Sequence, residues 1–149
     1  MVGRLARYLR FVGCDTVYAR GLTDEAILAL ARSEGRVIVT RDRELARKAD
    51  RAVLLRSVSL EGQWRELLAA HPEVPTAVSF LRCTECNGTL SELSPEERRS
   101  PALKSVPGDR VAKGLPVFRC LRCGHLYWEG SHTADIRRRL ESWAPKGPR

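Results

Sequence analysis

Val37-Ile38-Val39-Thr40 is an uninterrupted apolar run, opened by Gly35 and closed at once by Arg41-Asp42-Arg43-Glu44. A short apolar run bounded by turn signals reads as a parallel strand buried on both faces, because a strand with one wet face would alternate. Upstream, Thr23-Asp24-Glu25 opens a helix. Thr23 is a good cap, the acids sit where the helix dipole favours them, and Ile27, Leu28, Leu30 and Ala31 supply the apolar side until Gly35 stops it. Downstream, Leu45 to Ala49 reads as a short helix and Ala52-Val53-Leu54-Leu55 as a second buried strand. Leu60 to Ala70 follows as a helix with Trp64, Leu67 and Leu68 on one side. Further back, Val2, Leu5, Ala6, Leu9 and Val12 fall at helical spacing, Gly13 ends that helix, and Asp15-Thr16-Val17-Tyr18 has the composition of a short strand. Alternation of helix and strand with short links predicts an α/β domain over residues 1–76, a parallel sheet flanked by helices.

Pro72 and Pro75 break this pattern, and Ala77 to Leu81 reads as an extended link into a second domain over residues 77–149. Four of the five cysteines lie there as Cys83-Thr84-Glu85-Cys86 and Cys120-Leu121-Arg122-Cys123, with 33 residues between the pairs. Two residues between cysteines let one tight turn aim both sulfurs at one ion, and two such turns complete the tetrahedron of a structural zinc site. Asn87-Gly88 and Gly124 supply turn residues after each pair, where positive φ costs little. The competing readings are two disulfides or four unrelated thiols. Ser94-Pro95-Glu96-Glu97 is a helix start inside an otherwise irregular interval, Val117 to Arg119 and Leu126 to Trp128 form a hairpin around the second pair, and a last helix after Ser131-His132 carries Arg137, Arg138 and Arg139. Pro145 to Arg149 is expected to fray.

The formal charge is +8, with 26 Lys and Arg against 18 acids. Residues 1–56 hold 12 basic residues against 7 acids and residues 81–149 hold 13 against 8, whereas residues 57–80 carry one Arg against three Glu. Two basic lobes suit a polyanion, because each neutralised phosphate releases counterions. The plainer reading is an Arg-rich protein surface, and Arg4, Arg7 and Arg10, recurring every third residue on the first helix, read equally as a basic stripe or an ordinary wet face. No apolar signal core and no run of about 18 apolar residues occurs, so the expected setting is the cytoplasm, without membrane contact and with thiols reduced. Cys14 stands alone and reads as a small buried apolar residue.

In a parallel sheet, sites form outside the carboxyl ends of the strands. Asp42 lies there, Glu44 follows it, and Asp24 opens the helix leading into that strand. Carboxylates gathered at one edge attract Mg²⁺ or Mn²⁺, which activates water and stabilises a phosphodiester transition state. On spacing alone, Asp24 is equally a helix-dipole partner and Asp42 equally a cap for the next helix.

Met1 to Asp15, Thr23-Asp24-Glu25, Val39-Thr40-Arg41-Asp42-Arg43-Glu44, and the two cysteine turns ending in Tyr127-Trp128-Glu129-Gly130-Ser131-His132 together resemble the Mut-seven C-terminal RNase domain family. The order of several independent motifs is kept through almost the whole chain. The resemblance implies a PIN-like nuclease fold with a zinc ribbon and a Mg²⁺- or Mn²⁺-dependent ribonuclease whose acids are Asp24, Asp42 and Glu44. RNA is the expected partner: the basic residues Arg4, Arg7, Arg10, Arg41 and Arg43 would hold it in the enzyme reading, exposed Tyr127 and Trp128 would stack on unpaired bases in the binding reading, and His132, at the family feature near the ribbon, would bind phosphate or substrate or else hydrogen-bond within the ribbon. PIN-like domains often self-associate, so a homodimer is one candidate assembly, but the sequence does not fix the oligomeric state. One departure stands out. PIN-like domains begin with a strand ending in an acid, and this chain starts at the helix that follows it. Either the start is misplaced at an internal Met, which is the expectation, or the chain is an inactive relative that binds RNA without cutting it. A ribbon serving as a protein-interaction module is the remaining class.

Overall fold

The computed structural model describes residues 2–101 and 103–144, so the expected fraying of Pro145 to Arg149 lies outside the described residues. These residues fall into two compact units, one of residues 2–7, 16–74 and 143–144, the other of residues 8–15 and 75–142.

The chain opens with helix α1 (Gly3–Phe11), whose Leu5, Ala6 and Leu9, with Val12 just beyond, are buried as the helical spacing predicts. Residues 15–18, expected as a strand, pair with neither sheet, and Val17 and Tyr18 stay exposed. β-favouring composition needs an adjacent edge to act on. The Tyr18 ring lies instead across Gly3, where an added Cβ would stand 2.9 Å from Cζ.

Helix α2 (Asp24–Glu34) starts as read: the Thr23 hydroxyl accepts from the amide of Ala26, and the helix closes at Gly35 in the left-handed conformation (φ 64°). Strand β1 (Ile38–Thr40), helix α3 (Arg43–Lys48), strand β2 (Ala52–Leu54) and helix α4 (Leu60–Ala70) follow. The two strands pair in parallel, Ile38 opposite Ala52, Val39 opposite Val53 and Thr40 opposite Leu54, so the sheet among the described residues has two strands. Burial along them is partial, with Val39 half-buried and Leu54 exposed. Leu45, Val53, Leu55, Leu67, Leu68 and a fully covered Trp64 make up the unit's interior. Glu66 ties the entry of α4 to the preceding loop, accepting from the amide of Arg56 at 2.8 Å and the hydroxyl of Ser57 at 2.7 Å.

In the second unit, strands β3 (Leu90–Glu92), β4 (Val117–Cys120) and β5 (Leu126–Trp128) form an antiparallel sheet in that order. The β4–β5 hairpin is the one the sequence predicts, with Val117 opposite Trp128, while β3 pairs Leu90 with Cys120 inside the interval read as irregular. That interval also holds helix α5 (Pro95–Arg98), begun by the reciprocal Ser94 and Glu97 capping box, and helix α6 (Gly108–Ala112). Helix α7 (Ser131–Trp143) buries Thr133, Ile136 and Leu140. Leu93, Val106 and Val117 make one small core, and Leu90 with two of the cysteines makes another, against which Phe80 and Phe118 stack at 4.7 Å.

Candidate functional site

Each cysteine pair sits on a tight turn, and the two turns are built alike. The amide of Asn87 donates to the Cys83 carbonyl and that of Gly124 to the Cys120 carbonyl, at 2.9 and 3.0 Å. The Cys83 amide donates to Gly88 and the Cys120 amide to His125, at 2.8 and 2.9 Å. Asn87 (φ 66°) and Gly124 (φ 76°) carry the left-handed backbone that closes the turns. Gly88 is required by space, since a Cβ there would stand 2.8 Å from the Cys120 sulfur and 2.9 Å from Cβ of Arg122.

The sulfurs of Cys83, Cys86, Cys120 and Cys123 all lie within 4.8 Å of one another, and all four thiols are free. Cys83 Sγ is 3.6 Å from Cys123 Sγ, and Cys86 Sγ is 3.5 Å from Cys120 Sγ. A disulfide needs about 2.05 Å. A thiolate tetrahedron with metal–sulfur bonds of about 2.3 Å has edges of about 3.8 Å, which is close to what the cluster offers. The donors fit a soft, tetrahedral ion such as zinc. Backbone amides are already aimed at the sulfurs: Gly88 at Cys86, and Arg122 and Cys123 at Cys120, each at 3.4 Å. Burial opposes ionisation of Cys120, yet those two amides help bring its thiol down to about 6.

Tyr127 and Trp128, read as stacking platforms, are half-buried rather than exposed. The Tyr127 hydroxyl lies 3.1 Å from Cys83 Sγ and accepts from the Thr84 amide at 3.1 Å, so this ring serves the sulfur cluster. Burial first, and the Cys83 thiol second, push its phenol up to about 12, which keeps it a donor. Trp128 packs against the core of Leu93, Val106 and Val117. His132 is exposed at the start of α7, its ring edge-on to Phe11 at 6.1 Å.

The acids stand elsewhere. Asp42 caps α3, its Oδ1 accepting from the amides of Glu44 and Leu45 at 2.8 and 3.0 Å, while its own amide donates to the Thr40 hydroxyl. Its other oxygen makes no hydrogen bond among the described residues. Asp24 is half-buried in the first turn of α2, and exposed Glu44 pairs with Arg47 at 2.8 Å. Among the described residues the four cysteines are the one group of three or more metal-type ligands brought together, so Asp24, Asp42 and Glu44 do not converge into a single cage.

Of the expected basic contacts, Arg4, Arg7, Arg41 and Arg43 are exposed. Arg10 is not. Only 6% exposed, it donates to the carbonyls of Thr84 and Glu85 at 2.9 and 3.2 Å, so the three-arginine stripe on α1 is broken by a residue turned inward. Sequence reasoning missed this contact, along with the Tyr127–Cys83 and Asp15–Asn87 bonds, because no local pattern links residues so far apart. No helix among the described residues is long and apolar enough to cross a membrane.

The fold and site define an α/β protein with a small parallel sheet and a four-cysteine cluster able to hold a metal such as zinc. The chain matches the model of the Mut7-C RNAse domain over residues 1–140 of its 149 and belongs to that family. No curated protein and no solved structure matches it significantly.

Proposed function

We propose that this protein is a metal-dependent ribonuclease of the PIN-like class, cutting RNA phosphodiester bonds at a site built around Asp42, with a zinc ribbon as its second module. The observation that carries this reading is the family match through residues 1–140. Asp42 supports it: one carboxylate oxygen is fixed by two amides, which leaves the other unengaged among the described residues, two positions past the end of β1. Mg²⁺ and Mn²⁺ are commonly held by one or two carboxylates together with substrate phosphates, so a converged cage of acids is not required. When bound, such an ion supplies water activation and charge neutralisation at the scissile phosphate. Asp24 and Glu44 are the further acids of the proposal. Exposed Arg41 and Arg43 flank Asp42 and would hold the phosphate backbone, with Arg4, Arg7 and His132 as additional contacts. The free-thiol cluster calls for a reducing compartment such as the cytoplasm.

The test is cleavage of single-stranded RNA by the full chain with Mn²⁺, beside Asp42→Asn. Asn caps a helix as well as Asp does, so the variant should fold normally. Its rate should fall by about 100-fold or more, some 3 kcal/mol of transition-state stabilisation, with RNA affinity equal or higher. Cleavage at the parental rate by the variant would refute the assignment of Asp42. Tight RNA binding without cleavage by either protein would favour an inactive RNA-binding ribbon protein, a reading to which the dispersed acids lend weight.

A further inference from the structure

The first cysteine turn is wrapped by arginines. Arg10 donates to the carbonyls of Thr84 and Glu85, Arg122 to that of Cys86 at 2.9 Å, and Arg82 to that of Asn87 at 3.4 Å. Four consecutive backbone carbonyls of one metal-binding turn are therefore each met by a guanidinium. The three cations come from widely separated places: the last turn of α1, the residue before the first cysteine, and the second cysteine turn. Gly88 has no side chain where Arg122 passes, which is what lets that residue reach across.

We infer that Arg10, Arg82 and Arg122 form a cationic collar that positions the first turn for metal and raises the affinity of the four-cysteine site. Two physical effects point the same way. A divalent ion held by four thiolates carries about two negative charges net, and cations beside it lower the cost of gathering that charge. Each carbonyl bond also polarises its peptide group. The Asn87–Gly88 peptide accepts from Arg82 on its oxygen and donates from its nitrogen to Cys86 Sγ, so the guanidinium acts on the ligand through one peptide plane. Asp15 faces this collar at Arg82, accepting from the Asn87 side-chain amide at 2.6 Å and lying 3.9 Å from Arg82, and it offsets part of that residue's charge. All three are positioning residues, since none touches the ion.

The inference rests on the four cysteines holding a metal, and the experiment separates the two claims. Co²⁺ and Zn²⁺ binding to the full chain is measured by competition with a chromophoric chelator, with the thiolate-to-cobalt absorption as a second readout. Arg10→Met, which keeps most of the side-chain bulk, and Arg122→Gln, which alters an exposed residue, should each weaken binding by about 10–100-fold, the usual effect of losing a group that supports a ligand. Arg10→Lys should fall between, since an ammonium keeps the charge but lacks the fork that spans two carbonyls. A merely structural role would weaken binding by no more than the loss in folding stability of the metal-free protein, because folding and metal binding are coupled in such a module. If Arg10→Met fails to fold, Arg122→Gln decides, because surface changes are generally tolerated. Binding by both variants within about twofold of the parent overturns the collar alone, against the 10–100-fold expected. Absence of Co²⁺ binding by the parent overturns the metal site and the collar with it.

Discussion

Asp42 has two oxygens with different employment. One closes the N-terminus of α3 through the amides of Glu44 and Leu45, and the other is unengaged among the described residues. Substitution should separate the two roles. Asp42→Ala removes the cap and should cost about 0.5–2 kcal/mol, whereas Asp42→Asn should cost only a few tenths. Urea unfolding of both variants reads this directly, and equal losses would mean that the cap contributes nothing. Paired with the cleavage assay, the Asn variant is stable but inactive if the assignment holds, and the Ala variant is both weakened and inactive. Arg10 makes the complementary point. It falls on a regular three-residue spacing of arginines that suggests a solvated stripe, yet its guanidinium is spent on two carbonyls 74 and 75 residues away.

Most of the helices were legible because their ends are written locally, whereas α6 starts after Pro107 with no side-chain cap and falls in the interval read as irregular. Thr23, Asp42 and Ser59 accept from amides two or three residues on, Ser94 and Glu97 cap reciprocally, and Gly35 takes the left-handed conformation at the end of α2. The strands were legible only where apolar runs were long enough to show. β3 has three residues with a single buried side chain, and residues 15–18 have strand composition with no edge to join. The cysteine cluster was legible because its chemistry fixes its spacing, whereas the Tyr127 hydroxyl and the arginines around it depend on contacts that no short window contains. One element carries a pH signature. The Ser57 hydroxyl first, and the Arg56 amide next, hold the Glu66 carboxyl below its ordinary value of 4.5. A folded pKa below the unfolded one gives stability that is present above about pH 4.5 and is lost as pH falls through the folded value. Glu66→Gln should therefore be less stable at neutral pH and show a flatter decline below that point. Parallel melting curves for parent and variant through the acid range would contradict the role of Glu66 in pinning the loop before α4.

For the molecule as a whole, the two units differ in what sustains them. The first has a buried aromatic and aliphatic interior around Trp64, while the second has two small cores divided by short irregular segments and a cysteine cluster at the end of one of them. Modules with so little apolar interior depend on their metal for much of their folding free energy. Removing zinc from a zinc-loaded cluster should accordingly release amide protection in residues 80–128, and in residues 8–15 with them, while residues 24–70 keep theirs. Hydrogen exchange with and without chelator tests this, and uniform loss along the chain would show the units to be one cooperative body. Arg10 adds a matter of timing. Thr84 leaves the ribosome 74 residues after Arg10, about 4–15 s later at the usual 5–20 residues per second. For that interval the nascent chain displays the apolar side of Leu9 and Val12 beside an arginine whose destination has not been made. Slow decoding or a stall upstream of Thr84 would thus prolong the exposure of this apolar side to chaperones and to aggregation.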